Sequence, residues 1–191
     1  MNSRDESQYI IEPFESLSGH QLPILDVQIA DDSSFLISSS ADNSAIKFGM
    51  REDIQHRKEM RLYEDKRRIT KDKDSREIKI VASSPYDDWF VCIDAANVAR
   101  IYDITTGEMK CSKVLTSSDQ SLNDNDNSHS QDVSYLAIQQ HASDCAVHFI
   151  TSSFDNSVIK WEWNQGEQKI IYRNRIVNAH HDDILCIDLF S

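Results

Sequence analysis

The chain has 191 residues, a formal net charge of −12 at pH 7 and a mean hydropathy of −0.53. That length is enough to bury a core without disulfide or metal staples. Its apolar runs are too short to span a membrane, and residues 1–8 lack the basic start and apolar run of a signal peptide, so we expect neither a membrane protein nor a secreted one.

The cysteines indicate a reducing environment. The chain contains four of them, and none forms a Cys-x-x-Cys pair. This distribution favours buried thiols over a disulfide framework or a zinc site, and therefore predicts a nuclear or cytoplasmic protein.

Short apolar or β-branched runs, each bounded by Asp, Asn, Ser, Pro or Gly, predict strands along most of the chain. Residues 1–8 are expected to be a flexible N-terminus, and 9–17 to supply an outer strand. The further strand signals lie at 24–29, 35–39, 45–48, 78–82, 89–93, 99–104, 134–138, 146–151 and 158–163. Only 54–68 has any helical periodicity, so the pattern indicates an all-β fold.

Three stretches of the chain repeat one pattern. A His opens the stretch, a Ser-rich or Thr-containing strand follows, and an Asp stands six residues before an aromatic residue. The first copy runs from His20 to Phe48 and the third from His129 to Trp161, while a degraded second copy ends at Tyr102. A fourth begins at His180. A period of this size indicates a repeat architecture.

These residues resemble the WD-repeat β-propeller family. The Gly-His opening at Gly19-His20, the apolar residue four positions after each His and the Asp-to-aromatic step carry the resemblance. It implies a partial β-propeller built from antiparallel four-stranded blades. The implied organisation is an outer strand plus blade 1 at 9–50, a basic insertion or outer strand at 51–77, a degenerate blade 2 at 78–115, an acidic disordered loop at 116–130, blade 3 at 131–177 and the first strand of an incomplete blade 4 at 178–191.

The number of implied blades predicts open edges. Propellers close into a ring with four to eight blades, and three and a quarter blades leave an edge at each end. We therefore expect a C-terminal continuation, a partner chain or self-association to complete the propeller.

The repeated polar residues allow two interpretations. His20, Ser38 and Asp42, and again His129, Thr151 and Asp155, could be hydrolytic sets, which would need an activated hydroxyl beside an oxyanion hole. The alternative is a structural network in each blade, because a set that recurs at the repeat spacing is typical of a structural element. That interpretation assigns the network to His20, Ser38, Asp42, Phe48, His129, Thr151, Asp155, Trp161 and His180.

Neither a metal nor a cofactor is expected. His180-His181-Asp182-Asp183 has the composition of a metal site, but adjacent residues of an extended chain point to opposite sides. With only four glycines, the chain has no phosphate-binding glycine loop.

A basic segment and an acidic one are candidate regulatory or binding regions. Residues 57–79 hold ten Lys and Arg against six acids, which suits a nuclear-localisation or nucleic-acid patch but suits a solvated outer strand and loop better. Ser121, with Asp124 three residues on, resembles an acidophilic kinase site, although an inert spacer explains that stretch better. The basic interaction candidates are Arg57, Lys58, Lys66, Arg67, Arg68, Lys71 and Lys73.

Together these patterns predict a non-catalytic WD-repeat scaffold or adaptor within an intracellular multiprotein complex. Its partners would be other proteins, preferably basic ones because most of the chain is acidic, with no membrane contact. A nucleic-acid-associated module that binds through 57–79 and a hydrolase that uses one His/Ser/Asp set are the alternatives.

Overall fold

A computed structural model describes residues 17–30, 34–52, 60–68, 76–84, 89–117, 127–139 and 147–187. The regular secondary structure in these ranges is entirely β. The strands are β1 (Ile24–Ile29), β2 (Phe35–Ser40), β3 (Ala45–Glu52), β4 (Met60–Arg68), β5 (Ile78–Ser83), β6 (Trp89–Asp94), β7 (Val98–Asp103), β8 (Met109–Val114), β9 (Val133–Gln139), β10 (Val147–Ser153), β11 (Val158–Asn164) and β12 (Lys169–Ile176). The all-β prediction is confirmed.

The strands form three antiparallel sheets of four. Sheet 1 contains β1–β4, sheet 2 contains β5–β8 and sheet 3 contains β9–β12, and within each sheet every strand pairs with its neighbour in sequence. Each first strand carries a bulge or a register shift near its start. Such meanders follow from short strands joined by tight turns.

Asparagine shapes the hairpin turn between the second and third strands of each sheet. Asn43 and Asn156, which the sequence places in these turns, have φ values of 63° and 61°. Asn97 occupies the same place in sheet 2 with φ of 58°. Asn tolerates this left-handed conformation better than other side chains with a Cβ.

The sheets stack in chain order, with sheet 2 in the middle. One apolar core lies between sheets 1 and 2, where Ile37 and Ala45 pack with Val81 and Phe90. A larger core lies between sheets 2 and 3. It contains Ile80, Val91, Ile93, Ile101, Leu115, Val133, Leu136, Phe149, Ile159 and Trp161, among others.

The outer strands depart from the predicted pattern. Strand β4 lies within 51–77, where an outer strand is one of the two predicted alternatives, although the periodicity of 54–68 is helical. Strand β12 has no counterpart among the predicted strands. An outer strand has one paired edge and solvent on much of its surface, so its sequence need not alternate. β12 accordingly mixes charged and apolar residues. The predicted outer strand at 9–17 lies almost wholly outside the described residues.

The predicted strand at the start of a fourth blade is wrong for 183–187. This segment has no regular secondary structure, although Ile184 is buried. A strand needs hydrogen bonds to a neighbouring strand, and no strand in the described part of the chain pairs with these residues.

The prediction of one disordered loop at 116–130 is wrong at both ends. Thr116 forms a parallel bridge with His129. The His129 N–H donates to the Leu115 carbonyl at 2.8 Å, and the Ser117 N–H donates to the His129 carbonyl at 2.9 Å. Buried His129 is thus part of the sheet 2–sheet 3 junction. Residues 118–126 fall outside the described ranges.

Candidate functional site

A hydrogen-bonded chain of four side chains crosses the leading face of sheet 3, by which we mean the face turned toward the preceding sheet. Trp161 Nε1 donates to Thr151 Oγ1 at 2.8 Å, and Thr151 Oγ1 lies 2.8 Å from His129 Nε2. His129 Nδ1 lies 3.3 Å from both carboxylate oxygens of Asp155. Because ionised Asp155 only accepts, Nδ1 carries a proton; in the neutral imidazole, Nε2 then accepts the Thr151 hydroxyl proton.

Additional donors hold Asp155 in place. Its Oδ1 accepts the Ser157 N–H and hydroxyl, at 2.9 and 2.6 Å. Its Oδ2 accepts the Ser130 N–H at 2.8 Å and Arg175 Nη2 at 3.1 Å. Arg175 lies on the outermost strand β12, so this bond ties the outer edge of sheet 3 to its network.

Sheet 1 repeats the arrangement without the tryptophan. His20 Nε2 lies 2.7 Å from Ser38 Oγ, and His20 Nδ1 lies 3.2 Å from Asp42 Oδ2. Asp42 also accepts the Gln21 N–H at 2.8 Å and the Ser44 hydroxyl. Buried Phe48 occupies the Trp161 position but has no N–H, so the chain of bonds ends at Ser38.

Hydrogen bonds keep the carboxylates of Asp42 and Asp155 ionised by lowering their pKa values. Burial acts to raise the pKa of Asp42, but the bonds from Ser44, the Gln21 N–H and His20 outweigh it and lower that pKa to about 2. The pKa of Asp155 lies well below its ordinary value, because the bonds from His129, Ser157 and the Ser130 N–H likewise outweigh burial. Both groups are therefore ionised acceptors at neutral pH.

Sheet 2 replaces this network with a buried ion pair that the sequence pattern did not reveal. Asp94 and Arg100 are 1% and 9% exposed, and Arg100 Nη1 donates to Asp94 Oδ2 at 2.5 Å. Asp94 Oδ1 accepts the N–H groups of Ala96 and Val98 at 2.9 and 3.0 Å.

The hairpin turn of sheet 2 has Ala96 where the other two turns have an Asp. Asp94 makes the hydrogen bonds that hold this turn. In sheets 1 and 3 the corresponding residues are Ser40 and Ser153, whose hydroxyls accept only the first of these two N–H groups. The longer carboxylate of Asp94 reaches both. The only sequence signal for it was an acid bordering the turn, with an Arg six residues later.

Cys92 takes the place of Ser38 and Thr151 in sheet 2. It is 1% exposed, and burial raises the pKa of its thiol to about 12 although the Arg100 charge acts in the opposite direction. A thiol that stays protonated is a poor nucleophile.

The remaining predicted site residues are not brought together. His180 is exposed, and its assignment to a blade network stays a prediction, because the described residues hold no later strands that could supply its partners. The described ranges hold no group of three or more His, Cys, Asp or Glu side chains that could bind a metal. Arg57, Lys58, Lys71, Lys73 and Ser121 lie outside those ranges, while Lys66, Arg67 and Arg68 lie on β4.

The leading face of sheet 1 is exposed where the other two sheets bury the same positions. Ile24 and Val27 are 53% and 48% exposed. Their counterparts are Ile78 and Val81 in sheet 2 and Val133 and Leu136 in sheet 3, all at most 2% exposed. Ile29, on the same face, is 57% exposed. This is the geometry of an inter-sheet contact with no described neighbour.

Solved structures share the arrangement of three stacked four-stranded sheets. The RRP9 WD40 repeats match 89% of this chain with a TM-score of 0.58 and 20% identity. The fold is a partial WD40-repeat propeller. The U3-55K structure gives the same values, and a chain of the mitotic checkpoint complex matches 88% with a TM-score of 0.55 and 14% identity.

The chain covers less than half of the length of each of these WD40 proteins. The chain spans 43% of the RRP9 and U3-55K chains and 45% of the checkpoint-complex chain. No family model matches the chain, and no curated protein is similar to it in sequence. Among the described residues, no helix is long and apolar enough to cross a membrane.

Proposed function

We propose that this chain is a non-catalytic WD40-type scaffold that holds other proteins within a nuclear or cytoplasmic complex. The observation that carries the proposal is the rim, the end of the stack formed by residues 41–44, 95–97, 127–132, 154–157 and 177–183. There each described hairpin turn is fixed by side-chain hydrogen bonds to its own backbone, at Asp42, Asp94 and Asp155. Loops held rigidly at one end of a scaffold are suited to recognition.

Bonds between sheets add to this rigidity. Asn97 Nδ2 donates to Asp132 Oδ1 at 2.7 Å, and Asn97 Oδ1 accepts the Val133 N–H at 3.0 Å, so the turn of sheet 2 is joined to the start of sheet 3. Asp26 Oδ2 accepts the Val81 N–H at 2.9 Å between sheets 1 and 2. Partners would therefore meet a preformed surface and lose little affinity to its ordering.

The arrangement of the polar sets favours the structural interpretation over hydrolysis. Ser38 is 2% exposed and Thr151 has no exposed surface, so neither hydroxyl is accessible to a substrate carbonyl. The Thr151 oxygen also receives the Trp161 N–H. The same set stands at equivalent positions in sheets 1 and 3, as expected of an element that fixes strand register.

The rim favours a basic protein partner. Exposed Asp132, Asp182 and Asp183 lie there, and the whole chain carries a net charge of −12. Such a surface attracts cationic segments and repels nucleic-acid phosphates.

A matched pair of variants tests the scaffold proposal. Gln131 lies on the rim, and Gln165 lies in the turn between β11 and β12 at the opposite end; both are exposed. Wild-type, Gln131→Arg and Gln165→Arg chains would be purified with their bound proteins from the native source. We expect Gln131→Arg to lose the partner that Gln165→Arg retains. Equal recovery with both variants would contradict binding through the rim, and hydrolysis that Ser38→Ala abolishes would contradict the non-catalytic assignment.

Nucleic-acid binding through 57–79 is the second candidate. The supporting observation is that Lys66, Arg67 and Arg68 end β4, the outermost strand of sheet 1. Phosphate contacts would make the affinity for RNA or DNA fall steeply as salt rises. Binding that is absent at low salt would rule this candidate out.

A further inference from the structure

An aromatic side chain lies on the rim at the junction of sheets 2 and 3. Phe154 stands directly before Asp155 in the turn between β10 and β11, and it is partly exposed. It belongs to neither of the two cores. The corresponding residues of the other two turns are Ala41 and Ala95, so the turn does not require a large side chain at this position. The phenyl ring of Phe154 is therefore available for a contact outside the stack.

A carboxylate is held beside this aromatic residue. The Phe154 N–H donates to the Asp132 carbonyl at 3.1 Å, so the two residues lie next to each other on the rim. Asp132 Oδ1 accepts Asn97 Nδ2 at 2.7 Å. Asp132 is exposed, and in the part of the chain that the structure describes no Lys, Arg or His forms an ion pair with it. Its negative charge is therefore not compensated by any described residue.

The support of this carboxylate, Asn97, is itself fixed in the fold. Asn97 is 6% exposed, and its Oδ1 accepts the Val133 N–H at 3.0 Å and lies 3.4 Å from Lys79 Nζ. Its N–H donates to the Asp94 carbonyl at 2.9 Å. The Asp132 carboxylate is thus positioned before a partner binds, which reduces the entropy that binding costs.

We propose that Phe154 and Asp132 bind an arginine side chain of a basic partner segment. The planar guanidinium stacks on an aromatic face and donates hydrogen bonds to a carboxylate, so one arginine can use both groups. The net charge of −12 attracts such a segment to the chain. The site rests on the rim role proposed above and gives its partner a defined chemistry. Sheets 2 and 3 supply every residue of it, so it does not depend on what lies beyond them.

NMR titration of the purified full chain with a short peptide tests the proposal. The probe is the peptide Gly-Arg-Gly-Arg-Gly. The control is the same peptide with citrulline in place of arginine, because citrulline keeps the shape of the side chain and lacks its charge. The arginine peptide should shift the amide resonances of residues 131–133 and 153–156 in a saturable way. The citrulline peptide should bind more weakly by about threefold or more.

Three variants distinguish a defined site from a general effect of negative charge. Phe154→Ala installs the residue that the other two turns carry, and Asp132→Asn keeps an acceptor for Asn97 while it removes the charge. Each should weaken binding of the arginine peptide by about threefold or more. Asp182→Asn removes an exposed rim charge outside the site and should weaken binding clearly less. Unchanged amide shifts in the rest of the spectrum show that each variant folds.

Several results would overturn the proposal. They are equal affinity for the arginine and citrulline peptides, no shift at 131–133 and 153–156, full affinity in Phe154→Ala, or equal losses in Asp132→Asn and Asp182→Asn. None of them bears on the Gln131→Arg test, which follows native partners. A chain that loses its native partner in Gln131→Arg but does not bind the arginine peptide would bind through the rim by another chemistry. Failure of the rim role would instead give equal recovery with Gln131→Arg and Gln165→Arg.

Discussion

Phe90 and Val91 are neighbours in β6, and both have no exposed surface, yet they belong to different cores. Phe90 packs toward sheet 1 in the cluster of Ile37 and Ala45. Val91 packs toward sheet 3 in the cluster of Phe149. Strand alternation sends adjacent side chains to opposite faces, so sheet 2 is covered on both sides and forms the centre of the stack.

Trp161→Ala should destabilise the chain by about 3–5 kcal/mol. The substitution opens a large cavity in the core between sheets 2 and 3 and leaves Thr151 Oγ1 without its indole donor. Denaturant unfolding of the purified protein measures the loss. A loss below about 1 kcal/mol would show that Trp161 does not lie in a blade core.

The variant Trp161→Phe measures what the indole hydrogen bond to Thr151 contributes to stability, because most of the ring packing is kept. It reproduces the aromatic residue that sheet 1 carries at Phe48, and it removes the N–H without removing a large ring. We expect this variant to lose about 1–2 kcal/mol, clearly less than Trp161→Ala. Equal losses in the two variants would mean that the hydrogen bond dominates over ring burial.

Removing one partner of the Asp94–Arg100 pair should lower the unfolding free energy more than replacing both partners does. Arg100→Ile leaves the Asp94 carboxylate buried without its partner, which should cost about 3–5 kcal/mol. The double variant Asp94→Ser/Arg100→Ile installs the residues that sheets 1 and 3 carry at these positions and should recover much of that loss. Denaturant unfolding of both variants checks this, and a double variant no more stable than Arg100→Ile would contradict it.

Replacing residues 118–126 with a short Gly-Ser linker should change the unfolding free energy by less than about 0.5 kcal/mol. The segment has one apolar residue, Leu122, and its flanks are already joined through Thr116 and His129. His129→Ala is the contrasting variant, because it removes the buried imidazole between Thr151 and Asp155. A large loss from the linker variant would assign 118–126 to an interface.

Acid should destabilise the chain through Asp42. Its folded pKa of about 2 lies below the ordinary 3.8, so its hydrogen bonds stabilise the fold fully above pH 3.8, and this contribution disappears as the pH falls toward 2. Urea unfolding across this range should show a steep loss of stability that Asp42→Asn flattens. Asp182→Asn, at an exposed residue, is the control. An unchanged slope in Asp42→Asn would contradict the assignment.

The inner strands were predictable because burial dictates their composition. The predicted 24–29 coincides with β1, and most other predicted strands differ by one or two residues at an end. β12 was not predictable in the same way, because Arg173 and Arg175 interrupt its apolar residues and meet Glu162 and Asp155 of its own sheet. Partners of that kind depend on the fold and leave no local pattern.

The polar networks were predictable where the repeat is intact and not where it is degraded. His129, Thr151, Asp155 and Trp161 stand at the repeat spacing, and the structure joins them. In sheet 2 the residue six positions before Tyr102 is Ala96, which forms no side-chain hydrogen bond and gave no reason to look two residues earlier. The role of Asp94 depends on the reach of its carboxylate in three dimensions, which spacing alone does not specify.

Hydrogen–deuterium exchange of the purified chain tests the stacked three-sheet architecture most directly. The account predicts the slowest amide exchange in β6 and β7, Trp89–Asp94 and Val98–Asp103, because sheet 2 is covered on both faces and these strands pair on both edges. The outer strands β8 and β12 should exchange faster. If β6 and β7 exchanged as fast as β8 and β12, sheet 2 would not lie between two others, and the partial WD40 propeller would be the wrong architecture.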